Sequence, residues 1–386
     1  MKAVKVKEGI YWVGAIDWNV RNFHGYLTQR GTTYNAYLVI DEKITLIDAV
    51  KPNLSDQMMQ RISDIIDPTK IDIVISNHTE MDHSGAIPDI MKLNPNAEVY
   101  ACANGVKGLE AHYKEKWNFK SVSTGDEIKL GKNTVQIITT PMVHWPDNMM
   151  SYIPEQKILF SNDAFGQHLA SSERFDDEYP VDVIMEEARK YYANIVLPYC
   201  KPVLKLLADI EHLDIQIIAT SHGIIWRKNI KSVISEYKKW ASNNFRKKTV
   251  VIYDTMWNST EKMAYAISSG FEAKGYDVVF CNLQHNHISD IMTEILMAEY
   301  ICVGSPTLNN NIMPNVAGFL YYLKGLAPQN RKAIAFGSYG WGGQSVAQIE
   351  SIMKEAGLNV VKTFREKYIP SQEYLDKIQN EVEVIL

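Results

Sequence analysis

A regular alternation of short apolar segments with amphipathic segments fills residues 249–386 and restricts the fold more than any other feature. The apolar segments predict five strands: Thr249–Tyr253, Asp277–Cys281, Tyr300–Val303, Lys332–Phe336 and Val360–Phe364. Helical patterns follow at Glu261–Ala273, Asp290–Ala298, Pro314–Gly325, Gln344–Ala356 and Gln372–Val382. Strands that alternate with helices in this way predict a doubly wound α/β domain with a parallel sheet.

The first part of the chain combines strand-like alternation near the N-terminus with a later succession of buried strands and helices. The later strands are predicted at Ile71–Ile75, Glu98–Ala101, Val135–Ile138, Ile158–Phe160 and Ile215–Ala219. A chain of 386 residues is long enough for two domains. The polar segment Ser242–Lys248 precedes a new strand, so we predict an α/β domain over residues 1–248 and a second domain over residues 249–386.

Composition excludes several classes of protein. Apolar residues make up 46% of the chain and charged residues 22%, with a formal net charge of −5 and no long basic run, so we expect no nucleic-acid partner. No apolar run approaches the roughly 20 residues that span a bilayer, and the N-terminus has no signal-peptide core. We therefore predict a cytoplasmic protein without a membrane partner.

The four cysteines, Cys102, Cys200, Cys281 and Cys302, are scattered and form no Cys-x-x-Cys pair. This spacing excludes a zinc ribbon, a rubredoxin-type iron site and a disulfide framework.

Candidate metal ligands are concentrated where predicted strands end. The segment His78-Thr-Glu80-Met-Asp82-His83 directly follows a buried strand. His144, Asp163 and His222 each follow another strand, so all seven side chains can meet at one edge of the sheets. His168 lies near this set in the sequence but is not assigned to it.

The motif resembles that of the metallo-β-lactamase superfamily, whose hydrolases carry H-x-H-x-D-H. The chain has Glu80 in place of the second histidine of that motif. Four imidazoles and three carboxylates suit iron, whereas tetrahedral zinc favours nitrogen and sulfur ligands. The additional anion stabilises ferric iron, so the variant motif favours redox chemistry over hydrolysis.

Three polar or glycine-rich loops of the second domain form a candidate ligand site. Each loop follows one predicted strand, and hydroxyl groups at a helix N-terminus form a phosphate cradle. The candidate residues are Thr255, Met256, Trp257, Asn258, Ser259 and Thr260; Ser305, Pro306, Thr307, Leu308, Asn309 and Asn310; and Ser338, Tyr339, Gly340, Trp341, Gly342 and Gly343. Neither Gly-Lys-Ser/Thr nor G-x-G-x-x-G is present, which argues against a P-loop and a dinucleotide site. The three loops resemble those of flavodoxin, and FMN is the ligand that this resemblance implies.

The combination of both domains resembles the flavodiiron proteins. That resemblance implies a metallo-β-lactamase-like αββα sandwich followed by a flavodoxin-like doubly wound parallel sheet. It also implies one iron ion on His78, Glu80 and His144, a second on Asp82, His83 and His222, and Asp163 bridging them. His24 and Tyr192 resemble residues that donate hydrogen bonds or protons near the bound substrate, although both could equally be packing residues.

The same resemblance implies an activity and partners. The expected reaction is reduction of dioxygen to water, of nitric oxide to nitrous oxide, or of both. The electrons are expected from an external donor, a separate rubredoxin first and a reduced deazaflavin second. A head-to-tail homodimer, or a dimer of such dimers, is also implied.

Two other functions remain open at this point. The first is a zinc-dependent hydrolase of the metallo-β-lactamase fold fused to a flavin module, which bound-metal analysis would identify. The second is an electron carrier whose first domain only binds partners, which would consume no gas.

Overall fold

The chain divides into two compact units in a computed structural model that describes every residue from Met1 to Leu386. The first unit comprises Met1–His24, Thr28–Tyr191 and Lys201–Lys238. The second comprises Gly25–Leu27, Tyr192–Cys200 and Lys239–Leu386. The boundary that we predicted after Lys248 lies inside the first long strand of the second unit, Arg246–Tyr253.

Twenty-one strands occur along the chain. Up to residue 220 they are β1 (Val4–Lys7), β2 (Ile10–Trp12), β3 (Ala15–Asp17), β4 (Asn22–Phe23), β5 (Tyr26–Leu27), β6 (Thr32–Tyr34), β7 (Tyr37–Val39), β8 (Thr45–Ile47), β9 (Ile73–Ile75), β10 (Glu98–Cys102), β11 (Asn118–Val122), β12 (Glu127–Lys129), β13 (Thr134–Thr139), β14 (Met149–Ile153), β15 (Ile158–Asn162) and β16 (Ile217–Thr220). The remaining strands are β17 (Arg246–Tyr253), β18 (Asp277–Asn282), β19 (Ala298–Gly304), β20 (Lys332–Tyr339) and β21 (Asn359–Lys367).

Twelve α-helices accompany the strands. They are α1 (Ser55–Ser63), α2 (Met81–Ser84), α3 (Ile87–Leu93), α4 (Ala103–Tyr113), α5 (Val181–Tyr191), α6 (Cys200–Ile210), α7 (Ile230–Ala241), α8 (Ser259–Ala273), α9 (Ile288–Ile295), α10 (Pro314–Leu326), α11 (Gln344–Glu355) and α12 (Gln372–Ile385). Short 3₁₀ helices occur at Pro52–Leu54, Pro68–Lys70 and Leu197–Tyr199, and a π-helical turn occurs at Tyr192–Val196. None of these helices is long and apolar enough to cross a membrane.

Two sheets build the first unit. One has seven strands in the order β1-β2-β7-β8-β9-β10-β11, and the other has five in the order β12-β13-β14-β15-β16. A buried cluster with Ile10, Ile75, Ile137 and Phe160 fills the space between the two sheets. A second cluster joins the outer face of the seven-stranded sheet to helices α1, α3 and α4. These layers agree with the predicted αββα architecture.

Strand direction brings three of the predicted metal ligands to one edge of the five-stranded sheet. Strand β14 is antiparallel to both β13 and β15, and β15 is parallel to β16. Strands β13, β15 and β16 therefore run in the same direction, and the segments with His144, Asp163 and His222 all leave the sheet at its carboxyl edge.

The second unit contains one parallel sheet in the order β18-β17-β19-β20-β21. This is the strand order of flavodoxins, the fold that the resemblance of the three loops implied. Helices α8 and α12 pack on one face of the sheet through Ile267, Phe271, Ile378 and Val382.

One predicted loop begins later than the sequence indicated. Strand β20 continues through Ser338 and Tyr339, because these residues pair with Glu366 and Lys367 of β21. Ser338 and Tyr339 are therefore the last residues of the strand, and the loop itself begins at Gly340.

Candidate metal and flavin sites

The seven predicted metal ligands lie in one cluster at the carboxyl edges of the strands. Asp82 and His83 belong to the short helix α2, which begins directly after Glu80. Two compact groups result, in which the ligand atoms lie within 4.8 Å of one another: His78, His144 and Asp163; and Asp82, His83 and His222. Five of the seven side chains are at most 3% exposed: His78, Asp82, His83, Asp163 and His222.

The Asp163 carboxylate lies between the two groups. Its Oδ2 atom is 3.3 Å from His144 Nε2 and 3.7 Å from His78 Nε2. Its Oδ1 atom is 3.1 Å from His83 Nε2 and 3.4 Å from His222 Nε2. Each oxygen thus faces two imidazole nitrogens of one group, which is the arrangement that a bridging carboxylate requires.

A second carboxylate completes each group. Glu80 Oε2 lies 3.4 Å from His78 Nε2 and 3.6 Å from His144 Nε2. Asp82 approaches His83 Nε2 at 3.4 Å through Oδ1 and His222 Nε2 at 3.3 Å through Oδ2. Each half of the cluster therefore offers two imidazoles and its own carboxylate, in addition to one oxygen of Asp163.

The cluster fits a pair of metal ions. Buried ligand atoms without a hydrogen-bond partner include His78 Nε2, His83 Nε2, both oxygens of Asp82 and both oxygens of Asp163. Burying polar atoms without a partner is unfavourable, and a bound cation satisfies them. Imidazole and carboxylate ligands with no thiolate suit iron better than structural zinc.

Hydrogen bonds from distant parts of the chain orient two of the ligand imidazoles. His78 Nδ1 lies 2.9 Å from Asp147 Oδ2, and His222 Nδ1 lies 2.8 Å from the carbonyl oxygen of Thr33. A partner at Nδ1 leaves Nε2 directed into the cluster and fixes the orientation of the ring. Asp147 was not among the predicted site residues; its position three residues after His144, in the same loop, is the signal that could have found it.

Burial and the neighbouring carboxylates shift the pKa values of the cluster imidazoles in opposite directions. Burial lowers the pKa of His78, but the carboxylates of Asp147 and Glu80 outweigh burial and raise it to about 10. Burial also opposes protonation of His83, yet the charges of Asp82 and Asp163 raise its pKa to about 9. Burial alone would raise the pKa of Asp163. The neighbouring imidazoles outweigh burial and lower this pKa well below its ordinary value. Metal ions replace the protons on these imidazoles when they bind.

The two predicted substrate-side residues have different surroundings. His24 Nε2 lies 3.2 Å from Glu80 Oε1, and its side chain is 75% exposed, so it lies at the rim of the cluster. Tyr192 belongs to the second unit, where its hydroxyl contacts Cys200 Sγ at 3.7 Å and its ring packs against Trp240.

The preceding residue, Tyr191, lies beside the metal cluster. Its ring centroid lies 5.9 Å from that of His222 and 5.1 Å from that of His168. Burial and, next, the charge of Asp163 raise the pKa of Tyr191 well above its ordinary value. His168 is also buried beside His222, at 4.8 Å between ring centroids. The adjacent tyrosines gave a sequence signal for this position but did not show which of them faces the cluster.

The three predicted flavin loops begin side by side at one edge of the parallel sheet. Gly304 pairs with Tyr253 on one side and with Phe336 on the other, so the loops that follow β17, β19 and β20 are neighbours. Hydroxyl groups connect the start of helix α8 with the end of strand β20, with Thr260 Oγ1 3.0 Å from Ser338 Oγ. The second loop contacts the same end of β20 through Thr307 N, which donates to the carbonyl oxygen of Ser338 at 3.0 Å.

These loops fit an FMN ligand. Thr255 Oγ1 is buried without a hydrogen-bond partner, and Ser259 and Thr260 begin helix α8, which is where a phosphate group binds. The aromatic side chains of Trp257 and Trp341 are 88% and 91% exposed, which leaves them available to pack against a flat ring. A Cβ atom on Gly337 would lie 2.1 Å from the carbonyl oxygen of Ser305, so the close approach of the second loop to strand β20 requires glycine there.

Comparisons with known proteins agree with both halves of this description. Residues 32–223 match the model of the ODP family beta lactamase, and residues 251–378 match the flavodoxin model. The nitric oxide reductase of Moorella thermoacetica is 46% identical over 93% of this chain and 91% of its own length. The coenzyme F420H(2) oxidase of Methanocaldococcus jannaschii is 41% identical over 97% of this chain and 94% of its own length.

Two solved structures are similar over nearly the full length. The rubredoxin oxygen:oxidoreductase from Desulfovibrio gigas matches with a TM-score of 0.97 and 40% identity, covering 100% of this chain and 98% of that one. The flavodiiron protein from Giardia intestinalis matches with a TM-score of 0.96 and 33% identity, covering 100% of this chain and 96% of that one. The hydrolase alternative is not favoured, because these relatives are oxidoreductases. This chain belongs to the flavodiiron proteins, the oxidoreductases that carry a diiron centre and FMN and reduce dioxygen or nitric oxide.

Proposed function

We propose that this chain reduces dioxygen, nitric oxide or both at a diiron pair held by the seven clustered ligands. In this proposal His78, Glu80 and His144 hold one iron ion, Asp82, His83 and His222 hold the other, and Asp163 bridges the two. The observation that carries the proposal is the position of Asp163, each of whose oxygens faces two imidazoles of a different group. When bound, the iron ions and FMN supply the electrons that reduction of either gas consumes.

The protein supplies protons and a defined electrostatic environment. His24 lies at the exposed rim beside Glu80, where its Nε2 can exchange a proton with solvent and pass it inward. Tyr191 is buried next to His222, where its phenol would donate a proton toward the cluster. We assign the proton-donating role first predicted for Tyr192 to Tyr191, and we keep His24 as the second candidate.

FMN is assigned to the three loops of the second unit. Thr255, Ser259 and Thr260 would hold the phosphate group, while Trp257 and Trp341 would pack against the ring. The orphaned Thr255 hydroxyl and the start of helix α8 support this assignment.

The electrons come from an external donor in this proposal. One similar protein is named for rubredoxin and another for coenzyme F420H(2), so a separate rubredoxin and a reduced deazaflavin are the two candidates. We place the protein in the cytoplasm, where the four buried, free cysteines would remain reduced.

Gas-electrode turnover tests the function. Protein loaded with iron and FMN is supplied with reduced rubredoxin or with reduced deazaflavin, and consumption of dioxygen or nitric oxide is recorded in separate runs. We expect donor-dependent consumption that disappears after iron is removed with a chelator and returns when iron is restored. Fully loaded protein that consumes neither gas with either donor, or with chemically reduced FMN, would contradict the proposal.

A head-to-tail dimer is the proposed assembly, in which the flavin of one chain serves the iron ions of its partner. One chain carries Asp163→Ala and the other carries Ser259→Asp with Thr260→Asp, and each homodimer should be inactive. The purified heterodimer should recover activity, because it contains one intact flavin site facing one intact iron site. An inactive heterodimer with both cofactors in their expected chains would show that transfer occurs within one chain.

A further inference from the structure

The two halves of the metal cluster differ in the group that contacts the Nδ1 atom of a ligand histidine. His78 Nδ1 meets the carboxylate of Asp147 at 2.9 Å, whereas His222 Nδ1 meets the neutral backbone carbonyl of Thr33 at 2.8 Å. Both imidazoles are at most 1% exposed, so solvent does not replace either partner. His78 therefore contacts a negatively charged carboxylate at Nδ1, whereas His222 contacts only the dipole of a carbonyl group.

Asp147 is held firmly in its position. The side chain is buried, and Oδ2 accepts a hydrogen bond from Thr79 N at 2.8 Å in addition to its contact with His78. Its own backbone carbonyl accepts from Cys102 Sγ at 3.1 Å. The carboxylate is thus fixed to two consecutive residues of the ligand motif, His78 and Thr79.

The remaining contacts near the cluster do not reproduce this arrangement on the other side. His83 Nδ1 is buried without a hydrogen-bond partner. Asp48, a buried carboxylate, accepts from Asn77 N at 2.7 Å and from Asn77 Nδ2 at 3.0 Å. Its hydrogen bonds therefore go to amide groups and not to an imidazole.

We propose that Asp147 is a positioning residue that makes the two metal positions chemically unequal by acting through His78. It keeps the proton on Nδ1 and directs the Nε2 lone pair toward Glu80 and Asp163. A carboxylate behind a ligand histidine also makes the imidazole a stronger donor and stabilises the more highly charged metal ion. The position held by His78, Glu80 and His144 thus binds a metal ion more tightly and reaches the ferric state at a lower potential. This inference rests on the proposed diiron site.

Cobalt titration of metal-free, FMN-loaded protein tests the affinity difference. Wild-type protein should bind two Co²⁺ ions per chain. Asp147→Asn should keep one ion at its original affinity and bind the other about 10- to 100-fold more weakly, which is the usual effect of losing such a partner. Asp147→Glu retains the charge and should recover part of the loss.

Asp176→Asn is the matched control, because Asp176 is a buried carboxylate in the same unit that accepts from backbone N–H groups, including those of Arg227 and Asn229. This variant should leave both affinities unchanged. Equal weakening of both Co²⁺ ions by Asp147→Asn, or no weakening at all, would overturn the inference.

A double-mutant cycle shows whether Asp147 acts through His78. In a His78→Ala background, Asp147→Asn should cause no further loss of Co²⁺ affinity at that position. In a His222→Ala background it should cause its full loss, because His222 has a different partner. Equal effects in both backgrounds would overturn the assignment to His78.

The iron-loaded protein gives a readout that is independent of activity. In an anaerobic redox titration followed by the electron paramagnetic resonance signal of the mixed-valence state, Asp147→Asn should raise the potential of the first oxidation. Asp147→Glu and Asp176→Asn should stay near the wild-type potential, and an unchanged potential in Asp147→Asn would overturn the inference. Wild-type protein that binds fewer than two metal ions would instead contradict the proposed diiron site itself.

Discussion

The metal cluster and the flavin loops are both built at carboxyl edges of sheets, yet they are prepared for their ligands in opposite ways. In the cluster, His78, His83 and Asp163 are at most 1% exposed, and their ligand atoms already point toward one another. In the flavin loops, Trp257 and Trp341 are 88% and 91% exposed. The ligand atoms of the metal site are enclosed by the protein, whereas the flavin site presents open surfaces.

The difference follows from the two kinds of ligand. A metal ion is bound by atoms about 2 Å away, so several charged side chains must converge on one point, and hydrogen bonds from residues such as Asp147 and Thr33 hold them there. A flavin is larger and flat, and it is bound by a phosphate cradle and by ring contacts along loop surfaces. We therefore expect substitutions in the cluster to act through charge and geometry, and substitutions in the loops to act mainly on FMN affinity.

The largest effect is expected from Asp163→Ala. This change removes the one carboxylate that faces all four imidazoles, so metal content should fall from two ions per chain to one or fewer. Gas turnover should fall by at least about 100-fold, beyond the usual loss for a group that only supports a ligand. Elemental analysis and gas electrodes give the measurements, with Asp176→Asn as the control. Two iron ions per chain with normal turnover would break the description of Asp163 as a bridge.

In the flavin loops, Ser259→Asp combined with Thr260→Asp is expected to act selectively on FMN binding. Two negative charges at the start of helix α8 repel a phosphate group, so FMN affinity should fall by about 100-fold or more while the metal content is retained. Fluorescence titration of FMN against the stripped protein measures this. Ser269→Asp, on the same helix but nearly three turns beyond its start, should bind FMN normally. Loss of both cofactors together would contradict the separate construction of the two sites.

A smaller and more specific change is expected from Glu80→His, which restores the histidine of the hydrolase motif. Replacing a carboxylate with an imidazole reduces the negative charge around the ions and favours zinc, so the ratio of bound zinc to iron should rise by about 10-fold. Expression with both metals available, followed by elemental analysis, tests this. Glu80→Gln removes the charge without adding a nitrogen ligand and separates the two causes. Unchanged metal content and turnover in Glu80→His would show that Glu80 does not determine the redox chemistry.

The smallest effects concern the two adjacent tyrosines. Tyr191→Phe removes a hydroxyl beside the cluster and should lower gas turnover by about 10-fold or more, in the lower range of what a proton donor contributes. Tyr192→Phe removes the hydroxyl that contacts Cys200 Sγ, so turnover should remain within about twofold of wild type. Turnover and thermal unfolding of both variants give the comparison. A larger loss of turnover in Tyr192→Phe than in Tyr191→Phe would return the proton-donating role to Tyr192.

Much of the metal site could be predicted because its residues follow strands. The spacing of Glu80, Asp82 and His83 after a buried strand is visible in the sequence, and strands of like direction end at one edge. The flavin loops could be located for the same reason. The length of β20 could not, because Ser338 and Tyr339 are strand residues only through their pairing with β21.

The choice between Tyr191 and Tyr192 shows a different limit. Successive helical residues point about 100° apart, so only one of the two can face the cluster, and their identical side chains give no preference. Helix α5 ends at Tyr191, and a π-helical turn begins at Tyr192. The packing of this segment in the folded chain decides which ring reaches His222.

The sequence by itself determined the fold class, the two-part organisation and the ligand types, because apolar periodicity and local spacing act over a few residues. Only the tertiary structure decided which oxygen of Asp163 faces which imidazole, and that Asp147 supports His78 across 69 residues of chain. The physical reason is that a hydrogen bond depends on the position and direction of two groups within a few tenths of an ångström. Packing of separate elements sets that geometry, and no local pattern in either segment encodes it.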